Sequence, residues 1–192
     1  MKTKKRKGIV LLAIVVAATI FIALFINKKG NTDIIMDTSI DNITVTSTAF
    51  EEMGIIPARY TADGEDISPD LNLVGLSDQA VSIAIIMDDL DVPWAPNFTH
   101  WVIWNIPAQS TIPEAVSHGE IVSSLDDARQ GIAYGKHYYR GPNPPFGSHR
   151  YQFHVFVLDS MLDLESTAKK ADLLRAMEGH ILQYGYIIGN YK

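Results

Sequence analysis

Residues Tyr138–Phe153 read YYRGPNPPFGSHRYQF. Three prolines, Pro142, Pro144 and Pro145, fix φ and remove backbone donors, so the segment is neither helix nor central strand. Gly147 adds a flexible turn point. Beyond Tyr151, the residues Phe153, Val155 and Val157 alternate as in a strand. The stretch predicts a stiff loop that delivers His149 and Tyr151 to the mouth of a strand. Loops on a sheet scaffold often carry binding groups. A surface loop whose His and Tyr merely pack fits the same letters.

Outward from this stretch, strands and breakers dominate. Ile43–Phe50 alternates β-branched residues and predicts a first strand. A short strand is expected near Arg59–Thr61, after Gly54 and Pro57, and another at Leu71–Val74 beyond Ser68-Pro69-Asp70. Val81–Met87 is continuously apolar, the pattern of a strand buried on both faces. Phe98–Ile106 predicts a second long strand, with His100 near its start, and Tyr151–Leu158 a third. Pro107–Gln130 is loop-rich, and 131–139 is loop or irregular strand. Helical spacing appears over Ala168–Tyr184, where Leu173, Leu174, Met177, Ile181 and Leu182 recur and Ser166 or Thr167 supplies a cap. Tyr186–Tyr191 closes the chain as a strand. Many strands with Gly/Pro turns and one late helix indicate a mainly antiparallel β domain with a peripheral helix near the C-terminus.

The N-terminus has a different character. Lys2, Lys4, Lys5, Arg6 and Lys7 precede Ile9–Ile26, eighteen residues without charge or proline. That length approaches the ~20 residues needed to span a bilayer and exceeds the ~7–15 of a signal-peptide core. The expectation is one N-terminal transmembrane helix, a signal anchor over 9–26. It follows a basic segment over 1–8 and precedes a polar tether over 27–41 and a folded domain over 42–192. The basic excess before the span places the N-terminus inside and the domain outside the cell membrane. Secretion after signal cleavage is the alternative.

The chain has 192 residues, no cysteine and a formal net charge of −6. Disulfides, thiol nucleophiles and cysteine-ligated zinc are excluded. Residues 31–192 hold nine Lys and Arg against 22 Asp and Glu. A body that acidic repels phosphate backbones, so no nucleic-acid partner is expected.

Three loop-to-strand junctions hold ionisable groups: Asp88, Asp89 and Asp91 after one strand, His100 at the head of the next, His149 with Tyr151 at the head of a third. If those strands are neighbours, the groups meet at one rim of the sheet. Two histidines oriented by a carboxylate make an anion site. Tyr151 adds a phenolic donor, and backbone N–H groups near Gly141 complete a small nest. Asp88 by itself reads as a solvated turn residue. His118, His137, His154 and His180 read as satisfied hydrogen-bonding residues. Two His and one Asp also match the count of a metal facial triad, but no HxH or HExxH spacing is present. There is no GxSxG elbow and no Gly-rich phosphate loop, so neither a cofactor nor a hydrolase is the favoured expectation.

The pieces FEEMGIIPARYTADGEDISPDL (50–71), DDLDVP (88–93), FTHWVIWNIP (98–107), ARQG (128–131), RGPNPPFGSHRYQFHVFVLD (140–159) and ADLLRAMEGHILQYGYIIGNYK (171–192) carry a resemblance. In order and spacing, Ile43–Lys192 resembles the phosphatidylethanolamine-binding protein family. It is closest to the bacterial and archaeal YbhB/YbcL-like branch, also called Raf-kinase-inhibitor-like. The resemblance implies an antiparallel Greek-key β-sandwich with peripheral helices. It also implies a small cavity for phosphate, phosphorylated head groups or carboxylates. It carries ligand roles onto Asp89, His100, Gly141, His149 and Tyr151, with Asp91, Pro93, Arg140, Pro142 and Pro145 in support. Leu90 stands where the family has a proline, Asp70 departs from its S-P-P-L, and Arg140 and Asn143 replace a common glycine and cysteine. The membrane segment and tether lie outside the resemblance; taken with them, the most economical expectation is a membrane-anchored, extracytoplasmic binding protein for a small anion, not an enzyme. Its alternatives are an inhibitor or regulator docking a protease or other protein partner, and, more distantly, a hydrolase.

Overall fold

A computed structural model describes residues 23–26, 32–35, 40–95 and 97–192. The strands in chain order are β1 (Ala23–Ile26), β2 (Thr32–Ile35), β3 (Asp41–Asn42), β4 (Thr44–Thr46), β5 (Leu71–Val74), β6 (Ser82–Asp89), β7 (Phe98–Pro107), β8 (Thr111–Ile112), β9 (Ile121–Val122), β10 (Ala128–Gln130), β11 (His149–Leu158) and β12 (Ile181–Tyr191); one helix, α1 (Lys170–Ala176), lies between the last two. A seven-stranded sheet runs β3-β12-β11-β6-β7-β10-β9, and a three-stranded sheet runs β4-β5-β8. All pairs are antiparallel except β3 with β12. The fold is mainly β, as the alternation of strands and breakers predicts.

The apolar run of β6 explains the layering. Ile83, Ile85 and Met87 face the small sheet, with Val45, Leu71, Leu73 and Ile112 opposite and Trp101, Phe153, Val155 and Val157 beside them. Ala84 and Ile86 face the other way, with Val102, Trp104, Phe156 and Leu158, under Leu173, Leu174 and Met177 of the helix. All eight residues of β6 are buried. A strand covered on both faces has no polar face to alternate with, hence the unbroken apolar sequence.

Several expectations are corrected. The helix ends at Ala176 rather than Tyr184. Gly179 adopts φ +79°, a conformation glycine reaches without steric cost, and the chain turns there. Ile181 to Tyr191 then pair along the whole of β11, so the apolar letters after the turn obey the period of a strand. The Asp172 carboxylate accepts from the Lys169 N–H at 3.1 Å and caps the helix. The short strand expected near Arg59–Thr61 is a 3₁₀ turn, Ala58–Tyr60. Asp88 is not a solvated turn residue: it ends up buried inside β6.

The transmembrane expectation is also corrected. Among the described residues no helix is long and apolar enough to cross a membrane. Ala23–Ile26, placed at the end of the expected span, is a strand paired antiparallel with Thr32–Ile35. Residues 9–22 lie outside the described residues. The single-pass membrane placement of the domain rested on that helix and is overturned with it.

Candidate functional site

The sheet register assembles the site at one end of the long strands. Tyr151 of β11 pairs with Asp89 of β6, and Asp89 pairs with Phe98 of β7. His149 opens β11. Strict alternation would send His100 to the helix-covered face with Val102 and Trp104. The pairing of β6 with β7 shifts between Met87 and Asp88, which oppose Trp101 and Thr99, so His100 is an extra residue on β7. Such a bulge re-aims a side chain. His100 turns toward Tyr151, its ring edge-on at a centroid distance of 5.4 Å.

A pocket of about 220 Å³ opens at this end, lined by Asp89, His100, His149 and Tyr151, with Pro93, Asn143, Pro144 and Pro145 along one side. Val92, Trp94, Phe98, Tyr134 and Phe146 form an apolar rim. Tyr134 sits at the tip of a two-residue hairpin, in which the Ala133 and Lys136 backbones exchange hydrogen bonds of 3.1 and 2.8 Å. Tyr134 and Gly135 both have positive φ, 52° and 72°, as the hairpin's twist demands. The tip sets Tyr134 edge-on over Phe98 and His100, each at 5.2 Å.

Each polar group has a defined setting. The His149 Nδ1–H donates to both Asp89 oxygens, at 2.8 and 3.0 Å. Asp89 Oδ1 also accepts from the Asp91 N–H at 2.9 Å. The His100 Nδ1–H donates to the Arg140 carbonyl at 2.8 Å. A carbonyl only accepts, so this contact fixes the proton on Nδ1. Burial lowers the His100 pKa, outweighing the Arg140 carbonyl and the charges of Asp89 and Asp88. The Tyr151 hydroxyl is fully buried and makes no hydrogen bond of good geometry to the described residues, although the Asp89 carboxylate and the Asn143 backbone lie close to it. Burial, then the nearby Asp89 charge, raises its pKa, so it stays protonated.

The remaining predicted site residues stand behind the pocket wall. The Gly141 N–H donates to Asp66 Oδ1 at 2.7 Å and does not form the nest expected there. A Cβ on Gly141 would lie 2.6 Å from the Tyr60 carbonyl oxygen and 2.7 Å from the Thr61 Cα, so only glycine allows this approach. The Arg140 guanidinium pairs with Asp66. Asp91 holds Arg150 through two bonds of 2.9 and 2.7 Å. The Pro142 carbonyl accepts from the Ala62 N–H at 3.0 Å. Asp66, Tyr134 and the aromatic rim were not anticipated. The Tyr134-Gly135 turn could have been read from sequence, whereas Asp66 lies about 75 residues from its partners.

His118 stacks on Tyr138, His137 Nδ1 bonds the Gln130 carbonyl, His154 Nδ1 bonds the Tyr184 hydroxyl and His180 bonds Asp159; none of the four lines the pocket. Among the described residues no group of three or more His, Asp or Glu is placed to hold a metal ion.

A two-sheet β domain with an aromatic-rimmed pocket at its strand ends is a binding scaffold. The family model for phosphatidylethanolamine-binding protein matches residues 46–192, and the chain belongs to that family, with bacterial and archaeal relatives. It is similar to a UPF0098 protein of Methanothermobacter thermautotrophicus, 46% identical over 151 residues, covering 75% of this chain and 95% of the relative. A UPF0098 protein of Archaeoglobus fulgidus is also 46% identical over 151 residues, covering 79% of this chain. The aligned part spans about half of that relative, 51% of its length. Among solved structures, a phosphatidylethanolamine-binding protein homologue from Chlamydia trachomatis superposes with a TM-score of 0.71 at 32% identity, over 79% of this chain and 98% of its own. Escherichia coli YbcL superposes with a TM-score of 0.67 at 22% identity, over 79% and 98%, a likeness of fold.

Proposed function

We propose that the domain is a binding protein whose pocket takes a small oxyanion: phosphate, a phosphorylated head group or a carboxylate. The observation that carries this reading is the Tyr151 hydroxyl. It is wholly buried and makes no hydrogen bond of good geometry to the described residues, and its ring contacts both His100 and His149. A buried hydroxyl without a partner costs roughly 1–3 kcal/mol, and a ligand oxygen at that position removes the cost.

The test titrates the protein with inorganic phosphate and O-phosphoethanolamine while following the His100 and His149 ring resonances by NMR. Saturable shifts at both rings, abolished in His149→Ala, are expected. Absence of any shift at millimolar ligand would refute the reading. A second reading draws on the exposed rim. Trp94 is 65% and Phe146 82% exposed, and such aromatics suit a protein partner docking over the mouth. Inhibition of a protease from a panel, lost in Phe146→Ser, would favour it.

A further inference from the structure

Two basic side chains address one buried oxygen on the helix-covered face of the large sheet. The Lys170 Nζ lies 2.6 Å from Asp88 Oδ2, and the His154 Nε2 lies 3.5 Å from the same atom. The other oxygen, Oδ1, is taken by the Thr99 hydroxyl at 2.9 Å. Asp88, His154 and Lys170 are all buried. On the far side of its ring, His154 Nδ1 meets the Tyr184 hydroxyl at 2.7 Å. With a carboxylate facing Nε2, the neutral ring keeps its proton there and accepts the Tyr184 O–H at Nδ1. Asp88 of β6 and Lys170 of α1 are the charged groups set against this ring. From β12 come the phenols of Tyr184 and of Tyr186, its cross-strand neighbour.

A proton taken up by His154 puts two cations against one carboxylate in a place closed to water. A buried charge without a partner is costly, so one cation has to leave. His154 sits within β11, which pairs with β6 on one side and β12 on the other, and its ring cannot leave without the strand. Lys170 is the first residue of a seven-residue helix and carries its ammonium on a flexible stem. A cation at a helix N-terminus opposes the helix dipole, and so short a helix has little stability of its own. Lys170 is therefore the group that moves.

The start of the helix is docked onto the segment that carries the pocket rim. The Ala168 carbonyl, two residues before Lys170, accepts from the Ile132 N–H at 2.8 Å. A Cβ on Gly131 would run into that same oxygen, so the two segments meet backbone to backbone. Two residues beyond Ile132, Tyr134 stands edge-on over Phe98 and His100 at the pocket mouth.

We propose that Asp88, Lys170 and His154 form an acid-released latch. Protonation of His154 takes Asp88 from Lys170, frees the first turn of α1 and, through Ala168 and Ile132, loosens the Tyr134 hairpin, whatever the pocket holds. Burial first, and Lys170 more weakly, keep the His154 pKa below its ordinary value against the pull of Asp88. Departure of Lys170 removes that cation and leaves the ring an unshared carboxylate, so the open state binds the proton more tightly than the closed one. By linkage, the open population grows as pH falls below about 6.5.

The experiment follows the full chain without ligand by NMR from about pH 7.5 to about pH 5. It reads the His154 ring titration, the Lys170 ammonium resonance, and the exchange protection of the Ile132 amide against those of Phe153 and Val155 inside β11. The Lys170 signal is expected to vanish with the midpoint of His154. Ile132 protection is expected to fall at least about tenfold, the effect of one pKa unit between the two states, while Phe153 and Val155 keep theirs. His154→Gln offers an N–H to Asp88 and a carbonyl to Tyr184 but takes up no proton, and is expected to hold Ile132 protected throughout. That variant leaves His100, the other buried ring beside Tyr134, able to titrate. An equal loss of Ile132 protection in His154→Gln would assign the effect to another group and overturn the latch. So would a Lys170 signal that persists while His154 titrates, or a His154 ring that stays neutral throughout. Simultaneous loss at Phe153 and Val155 would be unfolding of the sheet and would overturn it too. The wild-type titration decides even where His154→Gln does not fold, because a Lys170 midpoint different from that of His154 is enough to refute the exchange.

Discussion

The Asp88 carboxylate and the Lys170 ammonium meet at 2.6 Å on the helix-covered face of the large sheet, both almost wholly buried. Asp88 Oδ1 also accepts from the Thr99 hydroxyl at 2.9 Å, and His154 Nε2 lies 3.5 Å from its other oxygen. The next residue, Asp89, points to the opposite face and holds His149. Two consecutive aspartates thus serve two sides of one strand, as the two-residue period of a strand requires. One ties the helix to the sheet and the other orients a pocket ring.

Lys170→Met tests that tie. It leaves a buried carboxylate without its cation, and breaking a buried pair from one side costs about 3–5 kcal/mol. The expected result is a large fall in the urea midpoint. Adding Asp88→Leu to Lys170→Met removes both charges and is expected to restore much of the loss, since an apolar pair of similar volume is often neutral or better. If the double variant is less stable than Lys170→Met, the ion pair is not the dominant interaction at this place.

Stability should also fall on mild acidification. Burial depresses the pKa of His100 and of His154 below the ordinary 6.5, in the second case against the pull of Asp88. A histidine with a depressed folded pKa binds its proton more readily when unfolded. Its contribution is therefore complete above 6.5 and declines as pH falls below that value. Asp88 behaves likewise in a lower window. Burial raises its pKa, but Lys170 and then His154 overcome this and leave it below 3.8, so its stabilisation is lost only as pH falls further. The melting temperature is expected to decline from about pH 6.5 downward. A flat profile from neutrality to about pH 5, with both rings titrating normally by NMR, would contradict this.

Most of the fold was legible because the long strands carry unmistakable patterns. Val81–Met87 announces a strand covered on both faces, and the alternation after Tyr151 announces β11. The C-terminal helix was overextended because Ile181 and Leu182 satisfy helical and strand spacing alike, and only the turn at Gly179 separates the two. At the site, Asp89, His100, His149 and Tyr151 could all be placed at strand ends, but the face to which His100 turns depends on a bulge, which leaves no mark in local periodicity. Asp88 was misread for a related reason. A carboxylate at a strand end looks solvated unless one knows that Lys170, 82 residues later, arrives above it.

Gly141→Ala probes how the wall holds His100. The added methyl group meets backbone atoms of Tyr60 and Thr61, which cannot swing aside, and the Asp66 carboxylate, which is held by the Gly141 N–H and the Arg140 guanidinium. Overpacking of this kind costs about 1–3 kcal/mol. The Arg140 carbonyl that holds His100 Nδ1 belongs to the peptide unit joined to Gly141, so the same shift is expected to disturb the ring. The check is a lowered unfolding free energy together with a changed His100 Nδ1–H resonance. A stable variant with an unaltered resonance would show that the wall yields elsewhere.

Tyr151→Phe separates stability from binding. Most deletions of a buried polar group leave a former partner unsatisfied and destabilise the protein. The Tyr151 hydroxyl makes no hydrogen bond of good geometry, though Asp89 and the Asn143 backbone lie close by, so its removal relieves a poorly satisfied, desolvated group while keeping the ring that contacts His100 and His149. The unfolding free energy in the absence of ligand is expected to stay level or rise by up to about 1 kcal/mol. Phosphate affinity is expected to fall by about tenfold, the loss of one hydrogen bond to a charged group. Denaturation and calorimetry on the same preparation give both numbers. Loss of stability with unchanged affinity would mean that the hydroxyl has a structural partner and that the oxyanion binds elsewhere. Loss of affinity without loss of stability would place the ligand on a hydroxyl that the folded chain leaves unbonded.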